Sequence, residues 1–162
     1  MDGKLRSMTS VYLLQEEKIL LLHRLGSKGV GNSYVGAAGG HFEPEEVSSA
    51  RACVLRELKE ETGLDESALE DLTMRYVTLR LKNGEIRQNY YFFARLKADA
   101  PAFSSNEGDL QWFTRDELWK LEMPVTARQM LEHYFAVGKD TQLLYAGIST
   151  ESNPVFVPLE EF

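Results

Sequence analysis

The stretch Arg56-Glu57-Leu58-Lys59-Glu60-Glu61-Thr62-Gly63-Leu64 decides the fold prediction. Ser48 or Ser49 can cap a helix that begins at the residue after the serine, because a serine hydroxyl accepts a hydrogen bond from the first free backbone N–H groups. Gly63 can end this helix in the left-handed conformation that only glycine adopts at little cost. The sequence therefore predicts a helix that runs to Thr62 and ends at Gly63.

Three carboxylates lie on one face of this helix. At about 100° per residue, Glu57, Glu60 and Glu61 spread over about 100° of the helix surface. Like charges at this spacing destabilise a helix by a few tenths of a kcal/mol per pair. Three more glutamates lie within residues 43–46, just behind Gly39-Gly40, and a tight loop could bring them to the same face.

Two interpretations of these carboxylates stay open at this point. Charge runs usually form a solvated face. Oxygen ligands on a rigid element are instead what Mg²⁺ or Mn²⁺ selects, and Mg²⁺ normally bridges to substrate phosphates. Zinc is disfavoured because the three histidines and the single cysteine show no ligand spacing.

Composition narrows the class of protein. The 162 residues are 43% apolar and 27% charged, which is typical of a globular chain and too apolar for disorder. No apolar run is long enough to span a membrane, and Met1–Ser10 lacks the apolar core of a secretory signal. Cys53 is the only cysteine, which fits a cytoplasmic protein. Because the net charge is −7, we expect no nucleic-acid polymer as partner, and an anionic substrate needs a metal or local cations.

Two strand hairpins flank the helix. The apolar runs Met8–Leu14 and Lys18–Arg24 read as the first, and Leu72–Lys82 and Glu85–Leu96 read as the second. The second pair is joined by Asn83-Gly84, the strongest short hairpin signal. Strands on both sides of a central helix predict a mixed α/β sandwich rather than a doubly wound parallel sheet.

The turn fixes the register of the second hairpin. Closing it places Arg80 opposite Arg87, and two arginines in this position repel each other unless solvent or an anion lies between them. We expect solvent. The opposite face carries Val77, Leu79 and Leu81, and this face is predicted to be the core side.

Short elements follow the second hairpin. Leu110–Phe113 reads as a strand, and residues 114–117 form a capping box that opens a short helix. Pro124 is placed at the first position of a last helix, and Gly138 is placed at its end.

A glycine-rich segment precedes the first helix. Six of the twelve glycines lie within residues 26–40, which predicts close approach of the backbone to a ligand. Arg24, Lys28, Arg80 and Arg87 are candidates for phosphate contacts, although each by itself is expected to be a solvated charge.

Residues 40–46 and 56–64 together resemble the Nudix box of the Nudix hydrolases. The second half matches the family pattern R-E-U-x-E-E-x-G-U at every defined position, where U is aliphatic, and the first half carries G-x5-E. Nine residues separate Glu46 from Arg56, where the family pattern has seven. The resemblance covers roughly residues 8–135.

The resemblance implies an α/β/α sandwich with a mixed β-sheet, formed by residues 1–162 as one domain. It implies an enzyme that hydrolyses nucleoside diphosphates linked to another moiety, with Mg²⁺ or Mn²⁺ as cofactor and a small-molecule nucleotide as substrate. It leaves the oligomeric state open.

The resemblance also assigns residues. Those that match the family's metal ligands, with a later glutamate that some members add, are Gly39, Glu57, Glu60, Glu61 and Glu107. Arg56 resembles the arginine that orients the helix carboxylates. Catalysis is assigned to Arg56, Glu57, Glu60 and Glu107, with Glu60 or Glu107 as the general base.

The substrate is predicted only coarsely. Trp112 or Tyr34 would stack on a base and Asn32 would read its polar edges, although a strand tryptophan is as often a core residue. A (deoxy)nucleoside triphosphate, including an oxidised purine nucleotide, is the first expectation. The alternatives are a nucleotide sugar or a dinucleotide, a catalytically weak module that senses nucleotides, and an isomerase of allylic diphosphates on a related fold.

Overall fold

The structure is a computed structural model that describes residues 2–24 and 33–162. Within these residues the strands are β1 (Lys4–Gln15), β2 (Lys18–Arg24), β3 (Ser33–Gly36), β4 (Leu69–Lys82), β5 (Glu85–Leu96), β6 (Asp109–Thr114), β7 (Tyr145–Ile148) and β8 (Val155–Pro158). The α-helices are α1 (Ala50–Thr62), α2 (Arg115–Leu118) and α3 (Val125–Ala136). Short 3₁₀ turns lie at Pro44–Glu46, Glu66–Ala68 and Gly138–Asp140.

The strands form one mixed sheet in the order β3-β2-β1-β5-β4-β7-β8, and β6 pairs with β2. β1 runs parallel to β5 and β4 runs parallel to β7, whereas the hairpin partners are antiparallel. The predicted α/β class with a mixed sheet is confirmed.

Helices cover both faces of the sheet. On one face, Val54 and Leu58 of α1 pack in a core with Val11, Leu13 and Phe92 of the central strands. On the other face, side chains of α3 pack in a second core with aromatic residues of the same strands. The α3 residues in this core are Met130, Leu131 and Tyr134, and their strand partners include Tyr12, Tyr76 and Phe93. The layers therefore form the expected α/β/α sandwich.

Both predicted hairpins are present. Asn83 and Gly84 turn the chain with positive φ angles of 52° and 73°, as a two-residue hairpin turn requires. Arg80 lies opposite Arg87, as the turn chemistry predicts.

The prediction that the face carrying Val77, Leu79 and Leu81 is the core side of this hairpin is wrong. Leu79 and Leu81 are 37% and 63% exposed, whereas Tyr76 and Thr78 on the opposite face are almost fully buried. The prediction assumed that one face is covered, but α1 and α3 each cover the middle of a different face, and neither covers Leu81 near the turn.

The end of the chain differs from the prediction in two respects. Pro124 is the N-cap of α3 rather than its first helical residue, and the helix ends at Ala136, two residues before Gly138. Strands β7 and β8 extend the sheet beyond β4 and were not predicted. No helix in the described part of the chain is both long and apolar enough to cross a membrane.

Candidate functional site

Helix α1 is fixed at both ends by its own sequence. Ser49 Oγ accepts a hydrogen bond from Ala52 N at 3.2 Å, and Gly63 ends the helix with a φ of 78°. Lys59 Nζ donates to Gly63 O at 3.0 Å, which satisfies one of the free carbonyls at the helix end. The rotation of the helix is set by the packing of its apolar face on the sheet, so the glutamates are held in a fixed direction.

Arg56 organises the carboxylates. Its Nε and Nη2 donate to Oε1 and Oε2 of Glu46 at 2.6 and 2.9 Å, and its Nη1 donates to Glu57 Oε1 at 2.8 Å and to Glu60 Oε2 at 3.0 Å. Nη2 also donates to His41 O at 3.0 Å. One guanidinium thus joins the helix to the loop before it through charge-assisted hydrogen bonds.

Glu46 reaches Arg56 despite the nine residues between them. The residues between Glu46 and α1 form a turn in which Ser49 N donates to Glu46 O at 2.7 Å, and Glu43 N donates to Glu46 Oε2 at 3.0 Å. Glu46 is only 6% exposed, and its hydrogen bonds from Arg56 lower the pKa of its carboxyl group to about 2. The longer spacing therefore leaves the contact of Glu46 with the helix arginine intact.

The segment around Gly39 and Gly40 lies against both β1 and α1. Thr9 N donates to Gly40 O at 2.8 Å, so the segment continues the sheet beside β1. A Cβ at Gly39 would lie 2.2 Å from Thr9 O, and a Cβ at Gly40 would lie 2.3 Å from Glu57 Oε1. Glycine is needed at both positions because backbone or a carboxylate occupies the place of the side chain.

Glu61 is the buried carboxylate of the cluster, with 9% exposure. Gly39 N donates to its Oε2 at 3.4 Å, and Arg24 Nη2 lies 4.0 Å from its Oε1. Burial raises the pKa of Glu61 to about 7 against the lowering effects of Arg24 and Gly39, and the charges of Glu57 and Glu107 raise it further. A carboxylate in this position is costly to ionise unless a cation lies beside it.

Glu107 is brought to the same end of α1 by its neighbour. Asn106 N donates to Glu61 O at 3.0 Å, and Asn106 Nδ2 donates to Glu60 O at 3.1 Å. Glu107 is exposed and within electrostatic reach of Glu61. Glu57 and Glu107 thus lie near enough to Glu61 for their charges to act on it, and Glu57 and Glu60 share Arg56 Nη1.

The donor set fits a hard divalent cation in chemical type, since it consists of carboxylates and backbone carbonyls. Gly39 directs its N–H towards Glu61 Oε2, which places its backbone beside the buried carboxylate. Among the described residues no three His, Cys, Asp or Glu side chains lie close enough to hold a metal ion. Assembly of the ligands therefore requires side-chain rotation, with Glu57 or Glu60 turning away from Arg56.

A cavity of about 330 Å³ opens beside Glu61 on the α3 face of the sheet. Its floor includes Tyr12 and Tyr91, and the start of α3 closes one side. Its polar and charged lining includes Arg24, Glu61, Arg80, Arg87 and Asn89. This volume lies at the lower end of the range for small-molecule sites.

The residues predicted to bind a base lie elsewhere. Trp112 packs against the core on the α1 face and does not line the cavity. Tyr34 stacks on His23 at 4.5 Å and packs against the core on the α3 face, also outside the cavity lining. These placements argue against the stacking roles. Asn32 and Lys28 lie outside the described residues, as does much of the glycine-rich segment.

Sequence reasoning named Arg80 and Arg87 as candidates for phosphate contacts while expecting each by itself to be solvated, and it assigned no role to Asn89. All three line the cavity. The signal that could have found them is the hairpin register, which places Arg80, Arg87 and Asn89 on one face of β4 and β5.

Comparison with known proteins agrees with this geometry. The model of the NUDIX domain matches residues 4–134. The fold is similar to the crystal structure of a MutT protein from Bacillus halodurans, with 20% identity, a TM-score of 0.66, and 93% of this chain and 97% of that chain covered. It is also similar to the solution structure of the ORF135 protein of E. coli, with 22% identity, a TM-score of 0.67, and 86% and 95% of the two chains covered.

A third similar structure is a NUDIX hydrolase from Nitrosomonas europaea, with 22% identity, a TM-score of 0.65, and 83% and 91% of the two chains covered. No curated protein sequence matches this chain. Because the family model spans most of the sequence, including both halves of the box and the second hairpin, the chain belongs to the Nudix hydrolase family.

Proposed function

We propose that this Nudix hydrolase is a metal-dependent enzyme that cleaves purine (deoxy)nucleoside triphosphates, including oxidised ones, to the monophosphate and pyrophosphate. Family membership carries the coarser statement, which is hydrolysis of a pyrophosphate linkage in a nucleoside diphosphate derivative. The observation that supports the finer proposal is that Glu61 belongs both to the carboxylate cluster and to the cavity lining. A substrate in the cavity can therefore place its phosphates at the cluster.

The cluster is suited to Mg²⁺ or Mn²⁺, held by Glu57, Glu61 and the Gly39 carbonyl, with Glu60 and Glu107 as further ligands. A bound divalent cation would polarise the phosphoryl oxygens and reduce the electrostatic repulsion between a polyphosphate and a protein of net charge −7.

The chain's own residues divide into positioning and proton-accepting groups. Arg56 positions Glu57 and Glu60 through the hydrogen bonds described above. Glu60 is 58% exposed on its side chain, and Glu107 is exposed on the neighbouring loop, so both are accessible to solvent and either would serve as the base that accepts a proton from the attacking water. General-base catalysis of this kind typically contributes about 10²–10⁴-fold.

The cavity supplies the nucleoside site in place of the predicted aromatic platform. Met8 and Val35 line it with apolar surface, and Asn89 offers an amide that can donate to and accept from a base edge. The function of Trp112 is then packing rather than stacking. Replacing it with alanine should lower the melting temperature and leave KM for a triphosphate little changed.

Two alternatives give different outcomes in the same assay. A sensing module needs no intact set of repelling carboxylates, and these are present here. A hydrolase of nucleotide sugars or dinucleotides would use the same cluster with a different occupant of the cavity.

The test is a substrate panel with Mg²⁺ in which the products are separated and identified. The expected result is release of pyrophosphate and a nucleoside monophosphate from purine triphosphates, loss of turnover after chelation, and recovery on adding back Mg²⁺. Glu60→Gln and Glu107→Gln identify the base by the larger fall in kcat. Turnover of nucleotide sugars or dinucleotides without any triphosphate hydrolysis would refute the proposed substrate, and full turnover after exhaustive chelation would refute the metal dependence.

A further inference from the structure

Three arginines form a row across neighbouring strands. Arg6 of β1 lies opposite Arg87 of β5, and Arg87 lies opposite Arg80 of β4. The chain has only 18 basic residues among 162 and a net charge of −7, so basic residues are in the minority. Like charges directly opposite each other on a sheet are destabilising, which calls for a compensating group.

The compensation within the described residues is incomplete. Glu85 Oε2 lies 3.5 Å from Arg87 Nη2, and the side chain of Glu85 is 13% exposed. Arg6 turns its guanidinium towards His41, with Nη2 at 2.9 Å from Nε2. Arg80 and Arg87 line the cavity, and the buried Nε of Arg87 has no hydrogen-bond partner among the described residues. One carboxylate therefore faces two guanidinium groups.

The start of α3 adds to the positive potential. Pro124, Thr126 and Ala127 line the same cavity, and α3 is a 12-residue helix whose first N–H groups carry partial positive charge. This feature supports the arginine pair rather than forming a site by itself.

The arginine pair is offset from the carboxylate cluster along the strands. Gly39 and Gly40 lie against Thr9 of β1, whereas Arg87 is level with Arg6, three residues away. At about 3.3 Å per residue this offset along the strand is ~10 Å. The cavity reaches from Glu61 to Arg80 and Arg87, so one ligand in it can contact both groups.

We infer that Arg80 and Arg87 form an anion subsite, and that the favoured substrates carry a phosphate ester on the nucleoside in addition to the pyrophosphate that is cleaved. The orientation of the substrate, with its pyrophosphate at the carboxylate cluster and its nucleoside towards the arginines, rests on the proposed function. Guanidinium groups hold phosphate through paired charge-assisted hydrogen bonds, and a partly enclosed site strengthens them.

The experiment compares binding of two matched pairs of probes. Coenzyme A differs from dephospho-coenzyme A by a 3′-phosphate, and NADP⁺ differs from NAD⁺ by a 2′-phosphate, while all four contain a pyrophosphate. Dissociation constants are measured by calorimetry without divalent metal, for the unmodified protein and for Arg80→Gln and Arg87→Gln. Circular dichroism and melting temperature show that each variant is folded.

The phosphorylated member of at least one pair should bind about tenfold more tightly or better, as a hydrogen-bonded charge predicts. The ratio within the pair should fall towards one in both glutamine variants and recover in part in Arg87→Lys. The control is Arg95→Gln, which removes the same charge from the far end of β5, where Arg95 is exposed and pairs with Asp71. This control should keep the ratio.

Two results would overturn the inference. One is equal binding within both pairs by the unmodified protein. The other is an equal loss of affinity for both members of a pair in the arginine variants, which would mean that the arginines contact the base or another shared group. Hydrolysis is assayed separately with Mg²⁺. If the protein discriminates within a pair but hydrolyses no triphosphate, the anion subsite is supported and the proposed function is refuted. If it hydrolyses triphosphates but binds both members of each pair equally, the proposed function is supported and the subsite is refuted.

Discussion

The cavity is lined by Glu61 of the carboxylate cluster and by Arg80 and Arg87. We call the cluster the acidic end and the two arginines the basic end, and the two ends are built in different ways. The acidic end comes mainly from one helix, where Glu57, Glu60 and Glu61 are neighbours in sequence. The basic end comes from Arg80 and Arg87, which are neighbours only because a hairpin closes. A functional cluster on one helix can be recognised from a motif, whereas a cluster across strands becomes visible only after the register is known.

The two ends also differ in how their charge is compensated. Arg56 holds three of the carboxylates at the acidic end, so that end is partly assembled within the protein. At the basic end, Glu85 is the one carboxylate among residues 2–24 and 33–162 that pairs with Arg87, at 3.5 Å. We therefore expect substitutions at the acidic end to affect catalysis and those at the basic end to affect the choice of substrate.

The largest expected effect is at the acidic end. Glu57→Gln and Glu61→Gln each keep the size of the side chain but remove a charge, so both should weaken metal binding and lower turnover about 100-fold or more. Mn²⁺ binding is measured by electron paramagnetic resonance, and turnover is measured over a range of Mg²⁺ concentrations. Glu132→Gln, an exposed glutamate on α3, is the matched control. Near-native turnover of both variants at low Mg²⁺ would show that these residues are not the ligands.

The next-largest expected effect is on stability and concerns the contact between Glu46 and Arg56. Glu46→Gln breaks the two-hydrogen-bond contact with Arg56 and should lower the free energy of unfolding by about 1.5–3 kcal/mol at pH 7. The folded-state pKa of Glu46 is lowered to about 2, so its stabilising effect is complete above the unfolded value of 4.5 and is lost as the pH falls from there towards 2. Urea unfolding of both proteins across this pH range is the measurement.

The difference between the unmodified protein and Glu46→Gln should therefore shrink in acid. Glu45→Gln is the control, because Glu45 is the exposed neighbour. A difference that stays constant down to pH 2 would mean that the ion pair with Arg56 does not carry the stability.

The smallest effect is at the basic end and has the opposite sign. Arg80→Gln removes one of two like charges that face each other across strands, so it should raise the free energy of unfolding by about 0.2–1 kcal/mol in the absence of ligand. The gain should shrink as salt is added, because salt screens charge repulsion. Denaturant unfolding at low and high ionic strength measures this, with Arg95→Gln as control. A loss of stability would show that Arg80 is compensated by the protein itself.

Local features of the sequence predicted much of the fold. Ser49 and Gly63 end the helix as their chemistry predicts, and Asn83-Gly84 sets the hairpin register. The predicted core face of that hairpin was wrong because a pattern of alternating residues does not show which faces later helices will cover. Strands β7 and β8 were missed because each has four residues, too few for a clear period.

The candidate site also has one part that the sequence predicts and one part that it does not. The sequence by itself determined the carboxylate helix, because ligands one turn apart on a helix follow from a fixed rise and rotation per residue. It also indicated that the glycine-rich segment makes a close approach, which the structure shows for Gly39 against β1 and for Gly40 against Glu57. Only the tertiary structure decided that Trp112 packs against the core on the α1 face and that Arg80, Arg87 and Asn89 line a cavity beside Glu61. Those positions depend on which sheet face α3 covers, and packing between distant segments sets that choice rather than any local preference.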